Sequence, residues 1–450
     1  MNEILIDDEL GDWRRTHYSN QLHSAIGNEV VIMGWVSSVR DHGNIQFILI
    51  RDIFGEAQII AKKNQCPNEI YEKFLDVKEH TSIGIKGKVN EQKKSPNGVE
   101  ITPLEIKIFS NVKKASPIVV QNKTPIGIDT RLDLRALDLR RKTLQSIFII
   151  RNTALRAIRE FLFNENFIEV NTPKIIATAT EGGTALFPIF YYDREAFLAQ
   201  SPQVYKEQLT MAFDNVFEIG PIFRAEPSRT NRHLSEATSI DIEKAFVNYN
   251  DIMNLVENLI KHIIKRIREN NNDEIDYMNI QLPNINNTFP RYTYTELIDR
   301  VNEKYEGNAK WGYDLSPQMI KKLGNDINEK FYFITDWPTA TKPFYVKEKE
   351  ESQSNNENKK ICESFDLMFD VLEISSGSTR ISNRETIEQR MRKQGLNLDS
   401  FDYHLRVFDY GMPPHAGCGI GLERLLMTIT KSENIRDAVL YPRDIDRLTP

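Results

Sequence analysis

The sequence is poor in cysteine and has no long apolar run, and both absences narrow the class of protein. Its three cysteines, Cys66, Cys362 and Cys418, lie far apart, which excludes a disulfide framework and is typical of a reducing compartment. No apolar stretch approaches the roughly 20 residues of a membrane helix. The N-terminal residues carry acids where a signal peptide needs bases. We therefore expect a soluble cytoplasmic protein with no membrane partner.

Several catalytic signatures are also missing. The chain has no Gly-x-x-x-x-Gly-Lys-[Ser/Thr] phosphate loop, no Cys/His cluster at zinc spacing and no Gly-x-Ser-x-Gly nucleophile elbow. Its 450 residues suffice for two or three domains, and its 27% charged and 40% apolar residues are ordinary for a globular protein. The net charge of −6 argues only weakly against a nucleic-acid partner, because such binding depends on local patches.

Changes in pattern divide the chain into three parts. Residues 28–110 alternate Val/Ile-rich runs with turns around one helical segment, in the order of a small Greek-key barrel such as an OB-fold. Residues 111–142 contain eight Lys and Arg against three Asp, which suits either a solvated linker or a nucleic-acid contact. Later runs of strands indicate an α+β domain with an antiparallel sheet flanked by helices. We expect an OB-fold domain with a short N-terminal extension at 1–110, a basic hinge at 111–142 and a second domain at 143–450.

Three constellations of residues could carry chemistry. The first is Phe223–Glu226 followed by Arg232 and His233, between two strand-like runs. Arginine and histidine suit polyphosphate oxygens, and arginine can bind them with two parallel hydrogen bonds. A surface hairpin with salt bridges would have the same sequence pattern.

The second constellation is an alternating glycine run, Gly417–Gly421, that precedes a helix with Arg424 in its first turn. Glycine lets a backbone approach a ligand closely, although a close-packed strand–helix junction needs it too. The third is Asp366 and Glu373, whose oxygens suit Mg²⁺ if an interruption of the strand brings them together, and which could otherwise be solvated acids. Together the three constellations describe a Mg-nucleotide site on a chain that also has a barrel of the kind that binds single-stranded nucleic acid.

These motifs resemble those of the class II aminoacyl-tRNA synthetases, in the right order and over nearly the whole chain. Motif 1 falls at about 144–175, motif 2 at about 217–246 and motif 3 at about 417–430. The segments PKIIATATEGGTALFP, FLAQSPQVYKEQL, IGPIFRAE, LEISSG and YGMPPHAG are similar to the archaeal-type aspartyl-tRNA synthetases of subclass IIb. The resemblance implies ATP-dependent attachment of L-aspartate to tRNA through aspartyl-adenylate. It also implies Mg²⁺ as cofactor and a homodimer with Pro173 of motif 1 at its interface.

The resemblance also implies roles for single residues. Those that contact aspartate would be Glu181, Gln203, Lys206, Arg224, Asp241, Ser376 and Arg380. Those that contact ATP would be Arg224, Ala225, Glu226, Arg232, His233, Leu234, Glu373, Gly421, Leu422, Glu423 and Arg424, with Arg224 and Arg424 the catalytic cations. Mg²⁺ would be held by Glu373 and Ser376, with Asp366 in support. The chain departs from the wider class at Ala237 and Thr238, where a Phe stacks on adenine.

The resemblance further implies that the barrel reads the anticodon. Its contact residues would be Arg40, Phe47, Gln58 and Glu100, although a core position is the alternative for Phe47. Enzymes that charge only tRNA(Asp) tend to have Trp and Lys where this chain has Ser37 and Pro96. We therefore expect charging of both tRNA(Asp) and tRNA(Asn), with a discriminating enzyme as the alternative.

Three rival functions share much of this pattern. A synthetase for asparagine would leave Lys206 buried opposite a neutral side chain, which is costly, so aspartate is favoured. A non-catalytic RNA-binding paralogue would be expected to lose the charged residues that are all present here. A synthetase-like enzyme that forms asparagine would lack the barrel.

Overall fold

A computed structural model of the chain describes residues 7–119, 125–178, 186–305, 309–327, 329–350 and 359–450. It separates into two compact units, Met1–Arg131 and Leu132–Pro450. The boundary lies within residues 111–142, the segment for which a hinge is expected. Glu181, which the resemblance assigns to aspartate, lies outside the described residues.

The first unit contains a closed five-stranded barrel in the order β1-β2-β3-β5-β4, the topology of the expected OB-fold. Neighbouring strands are antiparallel except β3 and β5, which run parallel and close the barrel. Every second residue of β2 is buried, so the alternation in the sequence places one face of the strand in the core. The elements of this unit are β1 (Glu29–Asp41), β2 (Ile45–Arg51), β3 (Glu56–Lys62), α1 (Asn68–Leu75), β4 (Ser82–Glu91) and β5 (Val99–Ser110).

The second unit is built on an eight-stranded sheet in the order β12-β13-β14-β15-β16-β11-β10-β6, and β7-β9-β8 form a separate small sheet. The large sheet is mixed: its centre is antiparallel as expected, while the outer pairs β12/β13 and β10/β6 are parallel. The strands are β6 (Ile168–Glu169), β7 (Ile175–Ile176), β8 (Pro188–Tyr191), β9 (Arg194–Leu198), β10 (Asn215–Phe223), β11 (Glu236–Ala245), β12 (Arg291–Thr293), β13 (Phe331–Thr335), β14 (Ser364–Phe369), β15 (Leu372–Thr379) and β16 (His415–Gly421).

Long helices cover one face of this sheet. An Asn248–Asp251 capping box starts α6, and apolar residues at helical spacing then pack it with α4 and α12 into the main core. The helices are α2 (Ile128–Asp133), α3 (Arg135–Asp138), α4 (Lys142–Asn164), α5 (Gln203–Phe213), α6 (Tyr249–Asn270), α7 (Asn272–Met278), α8 (Tyr294–Tyr305), α9 (Pro317–Asp326), α10 (Arg384–Lys393), α11 (Asp402–Leu405) and α12 (Leu422–Thr430). None of the helices in the described ranges combines the length and apolarity needed to cross a membrane.

All three cysteines are unpaired and buried. Burial raises the pKa of the Cys66 thiol, that of Cys362 to about 11 and that of Cys418 to about 12. The expectation that the fold contains no disulfide framework is therefore confirmed.

Candidate active site

A cavity of about 330 Å³ lies over the centre of the eight-stranded sheet, with walls from β10, β11, β15, β16 and α5. It gathers most residues that the resemblance assigns to aspartate and ATP. Those that line it are Gln203, Lys206, Arg224, Glu226, Arg232, His233, Leu234, Asp241, Glu373, Ser376, Arg380, Gly421, Glu423 and Arg424. Ala225 does not line it, and Leu422 is fully buried in the main core.

The floor of the cavity is a buried network of ion pairs. Lys206 Nζ lies 3.0 Å from Asp241 Oδ1 and 3.3 Å from Glu243 Oε2. Arg380 binds Glu243 through two hydrogen bonds, of 2.9 and 3.1 Å. Each of these four residues is at most 5% exposed. Burial opposes the charge on Lys206, but Asp241 and Glu243 outweigh it and raise the pKa of the amine. The two cations and two carboxylates therefore balance.

Local structure explains how these charges meet. Asp241 and Glu243 are two residues apart on β11, so both side chains lie on the same face of the sheet. Glu243 faces Gly417 of β16, where a Cβ atom would lie only 2.1 Å from its Oε2. Gly417 therefore makes room for this carboxylate. Sequence reasoning assigned no role to Glu243. Its position two residues from Asp241 in a strand-like run could have indicated that the two acids share a face.

The other two alternating glycines have a different function. A Cβ atom on Gly419 or Gly421 would meet its protein neighbours only at ordinary contact distances of 3.5 Å or more. Both residues line the cavity. Their missing side chains therefore leave space in the cavity itself, whereas Gly417 is a close-packing residue.

A hairpin brings the two candidate metal-binding acids together. Asp366 on β14 pairs with Ser376 on β15, and a turn followed by a bulge puts Glu373 on the same part of the hairpin. Lys342, which sequence reasoning missed because it lies in no motif, donates hydrogen bonds of 2.9 and 3.2 Å to Asp366. Partial desolvation by the surrounding protein, and then the Asp366 carboxylate, raise the pKa of Glu373.

The end of the cavity next to Glu373 is rich in cations. Arg224 follows β10, and its backbone NH donates to Ser235 O at 2.9 Å. Arg424 lies in the first turn of α12 and donates to the Glu373 backbone oxygen at 3.1 Å. Burial and the positive charge of Arg424 lower the pKa of His233. This end of the cavity is therefore electrostatically suited to an anion.

A second cavity of about 230 Å³ adjoins Ala237 and Thr238, the two positions that depart from the wider class. The backbone NH of Thr238 donates to Glu423 Oε2 at 3.0 Å, and burial raises the pKa of that carboxyl. Arg151 and Tyr441 also line this space, and neither was singled out from the sequence. The small side chains at 237 and 238 thus border an open space.

The barrel carries a small groove of about 130 Å³ lined by Ser38, Arg40, His42, Phe47, Leu49 and Gln58. Phe47 lies on the outer face of β2, so it is not a core residue. A bulge in β1 buries Ser37, whose hydroxyl donates to Leu49 O at 3.3 Å, and Ser38 lines the groove instead. Glu100 pairs with Gln58 across β3 and β5 but does not line the groove.

Pro173 is exposed on the surface of the second unit. Its two neighbours are anchored to the same acid. Thr172 Oγ1 donates to Glu218 Oε2 at 2.7 Å, and Lys174 Nζ lies 2.8 Å from Glu218 Oε1. The proline is therefore presented outward from a fixed segment.

Comparisons with known proteins agree with this arrangement. The family model described as class II tRNA synthetases (D, K and N) matches residues 127–445, and the model described as an OB-fold nucleic acid binding domain matches residues 30–109. A relative in Methanocaldococcus jannaschii, named aspartate–tRNA(Asp/Asn) ligase, is 47% identical over 97% of this chain and 99% of its own length. One of the same name in Methanosarcina acetivorans is 44% identical, with the same coverage.

Solved structures are similar as well. Asparaginyl-tRNA synthetase from Pyrococcus horikoshii, complexed with asparaginyl-adenylate, superposes with a TM-score of 0.90 at 30% identity over 97% of this chain and 100% of that one. Aspartyl-tRNA synthetase from Entamoeba histolytica superposes with a TM-score of 0.83 at 30% identity, over 96% of this chain and 92% of that one. At this distance, solved structures of enzymes for both amino acids share the fold.

Proposed function

The chain belongs to the class II tRNA synthetases of the aspartate, lysine and asparagine group, and on that premise we propose that it attaches L-aspartate to tRNA(Asp) and tRNA(Asn). The names of the relatives at 44–47% identity support this substrate and this pair of tRNAs. The reaction consumes ATP and proceeds through aspartyl-adenylate. Its tRNA substrates belong to protein synthesis, which corresponds to a cytoplasmic location.

The buried ion-pair network carries the choice of aspartate. Lys206 and Arg380 lie in the cavity wall and can face a side-chain carboxylate, while Asp241 and Glu243 keep both cations charged in its absence. A neutral carboxamide would gain far less from two buried cations than a carboxylate does. The same geometry argues against asparagine as the substrate, although the fold itself is shared with asparagine enzymes.

The cationic end of the cavity suits ATP. Arg224 would bind the α-phosphate, and His233, Arg232 and Arg424 the distal phosphates. The α-carboxylate of aspartate then attacks the α-phosphorus in line, and pyrophosphate leaves. No protein nucleophile takes part, so the protein acts by positioning both substrates and stabilising charge on the phosphoryl oxygens. Ala225, Glu226, Leu234, Gly421, Leu422 and Glu423 would complete the nucleotide contacts, largely through backbone and shape.

The hairpin acids fit a hard divalent cation. Glu373 and Ser376 offer oxygen atoms, and the crowding that raises the pKa of Glu373 is what a cation would relieve. Asp366 would act in support, already held by Lys342. Mg²⁺ bound there would neutralise negative charge on the phosphates.

The barrel would read the anticodon. Phe47 presents a ring on the outer face of β2, on which an unstacked base can lie, with Arg40, Gln58 and Glu100 as polar partners. Ser37 and Pro96 would set the breadth of tRNA choice. Because the bulge puts Ser38 rather than Ser37 in the groove, Ser37 would affect tRNA binding only by fixing the position of Ser38.

Charging of purified tRNA(Asp) and tRNA(Asn) transcripts with labelled aspartate tests the proposal. We expect comparable charging of both. Charging of tRNA(Asp) alone would refute the dual specificity and leave aspartylation standing. No charging, together with no aspartate-dependent ATP–pyrophosphate exchange, would refute the enzymatic function.

The protein would act as a homodimer with Pro173 at the interface, as motif 1 implies. Sedimentation equilibrium should give a mass of twice 52.2 kDa. A stable monomer that retains aspartylation would contradict this part of the proposal.

A further inference from the structure

A fully buried acid lies directly behind the cavity wall, and the sequence analysis assigned it no role. Glu207 is on α5, four residues after Gln203, so the two side chains lie on the same face of the helix. It is 0% exposed. Gln203 lines the cavity, whereas Glu207 does not, and the hydrogen-bonded route from this acid to the cavity runs through Gln203.

The contact between the two side chains fixes the orientation of the glutamine amide. Gln203 Nε2 donates a hydrogen bond to Glu207 Oε1 at 2.5 Å. A carboxylate oxygen only accepts hydrogen bonds, so the NH₂ group of Gln203 must face Glu207. The amide oxygen of Gln203 is then left as an acceptor, which is what a substrate ammonium group requires.

Two buried histidines flank the second carboxylate oxygen. Glu207 Oε2 has no hydrogen bond within the described residues, and the ring nitrogens near it are His404 Nε2 at 3.5 Å and His415 Nε2 at 3.7 Å. His415 Nδ1 lies 2.8 Å from the backbone oxygen of Pro413, which can only accept, so that nitrogen carries a proton. A second proton, on Nε2, would make His415 an imidazolium and a counter-ion for Glu207, and the upward shift of its pKa favours that form.

The second histidine is oriented by a contact on its other ring nitrogen. His404 Nδ1 lies 3.2 Å from Gln208 Nε2, an amide donor, and the tautomer that accepts this hydrogen bond carries its proton on Nε2, the nitrogen nearest Glu207. Burial alone would lower the pKa of His415, but the Glu207 carboxylate outweighs it, and the net shift is upward. The histidines in turn hold the pKa of Glu207 well below its usual range, against the opposing effect of burial.

The surrounding charges leave His415 as the counter-ion of Glu207. The other charged groups packed around the pair are Lys206, Asp241, Glu243 and Arg380, and these four already balance one another. With His415 protonated, three cations face three anions. If His415 loses this proton, Glu207 becomes a buried carboxylate with no full counter-charge, which is costly.

We propose that Glu207 is a positioning residue for the substrate: flanked by His404 and His415, it orients the Gln203 amide so that its oxygen accepts the ammonium group of the amino acid. The inference rests on the proposed aspartate activation. It adds to that reaction three buried residues that do not contact the ligand.

The experiment compares Glu207→Gln and Glu207→Asp with the wild-type chain in aspartate-dependent ATP–pyrophosphate exchange. Glutamine can donate as well as accept, so the Gln203 amide loses its single orientation. The side chain introduced in Glu207→Asp keeps the negative charge but is one methylene shorter. We expect KM for aspartate to rise about tenfold in Glu207→Gln and by a smaller factor in Glu207→Asp, with kcat and KM for ATP within twofold of wild type. Glu388→Gln, which breaks a surface ion pair with Arg384 on α10, is the matched control.

The pH profile separates positioning from a general structural role. In the wild-type chain, KM for aspartate should rise as pH increases through the raised pKa of His415, and Glu207→Gln should flatten this rise. An unchanged KM for aspartate in both variants would overturn the inference. So would a parallel loss of kcat, ATP affinity and thermal midpoint. Absence of exchange in the wild-type chain would instead overturn the proposed function, and this inference with it.

Discussion

The side-chain amide of Gln58 donates a hydrogen bond of 2.7 Å to the hydroxyl of Ser95. Ser95 directly precedes Pro96, one of the two positions expected to set tRNA choice. A candidate anticodon-reading side chain is thus tied to the loop associated with discrimination. Asn97 of the same loop donates to the backbone oxygens of Ser19 and Glu56, which fixes the loop to the barrel.

We predict that Ser95→Ala weakens tRNA recognition without affecting adenylate formation. Loss of one hydrogen bond costs about 1 kcal/mol, so KM for tRNA should rise roughly fivefold. Aminoacylation kinetics measure the change, and pyrophosphate exchange should stay at the wild-type level. Ser24→Ala, which removes a local hydrogen bond to Gln21 O in the segment before β1, is the control. An unaltered KM for both tRNAs would show that Ser95 does not orient Gln58.

Arg224→Ala should abolish adenylate formation while leaving the fold intact. Arg224 is exposed to the cavity and belongs to its cationic end, and a cation that stabilises a transferring phosphoryl group contributes about 10³-fold or more in rate. Pyrophosphate exchange and circular dichroism measure the two effects. Arg392→Ala on α10, where the guanidinium is 60% exposed and pairs with Glu388, is the matched control. Near-wild-type exchange in Arg224→Ala would defeat the assignment.

Lys206→Met should cost both substrate recognition and stability. It removes one of two cations offered to the aspartate carboxylate and leaves Asp241 and Glu243 with Arg380 alone. We expect KM for aspartate to rise at least a hundredfold, and the free energy of unfolding to fall by about 3–5 kcal/mol. Exchange kinetics and urea titration measure these, with Lys261→Met, which breaks a partly exposed pair on α6, as control. A stable variant with unchanged aspartate affinity would contradict the role of the network.

Binding of ATP should raise the lowered pKa of His233. Burial and Arg424 disfavour its protonated form in the free protein, and phosphate groups would reverse the second effect. ATP binding then takes up a proton, so the KM for ATP should fall as pH decreases through the titration of His233. His233→Gln should lose this dependence. ATP itself titrates in assays of both proteins, so the measurement is the difference between the pH profiles of KM for ATP in the wild-type chain and in His233→Gln. Identical profiles would exclude a contact between His233 and the phosphates.

Much of the architecture was predictable because it depends on local pattern. The alternation in β2 predicted a barrel strand, and the same alternation in β11 puts Asp241 and Glu243 on one face. The mixed character of the sheet was not predictable, since the parallel pairs β12/β13 and β10/β6 join strands distant in sequence.

The candidate site was predictable in its residues but not in their partners. The motifs named Lys206, Arg380 and Asp366, yet the pairing of Glu243 with both cations depends on strand register, and Lys342, which binds Asp366, comes from a loop outside the sheet. Ser37 shows the same limit, because a single-residue bulge in β1 places Ser38 in the groove where Ser37 was expected. Contacts set by register and bulges depend on the whole sheet rather than on local sequence.

The burial of Cys66, Cys362 and Cys418 has a practical consequence. A maleimide reacts with an accessible thiolate, and burial both shields these sulfurs and disfavours their ionisation. A cysteine introduced at an exposed position, such as Asp193→Cys in the turn between β8 and β9, where the native side chain is 90% exposed, would therefore be labelled selectively. A fluorophore or spin label could be attached to the otherwise unaltered chain.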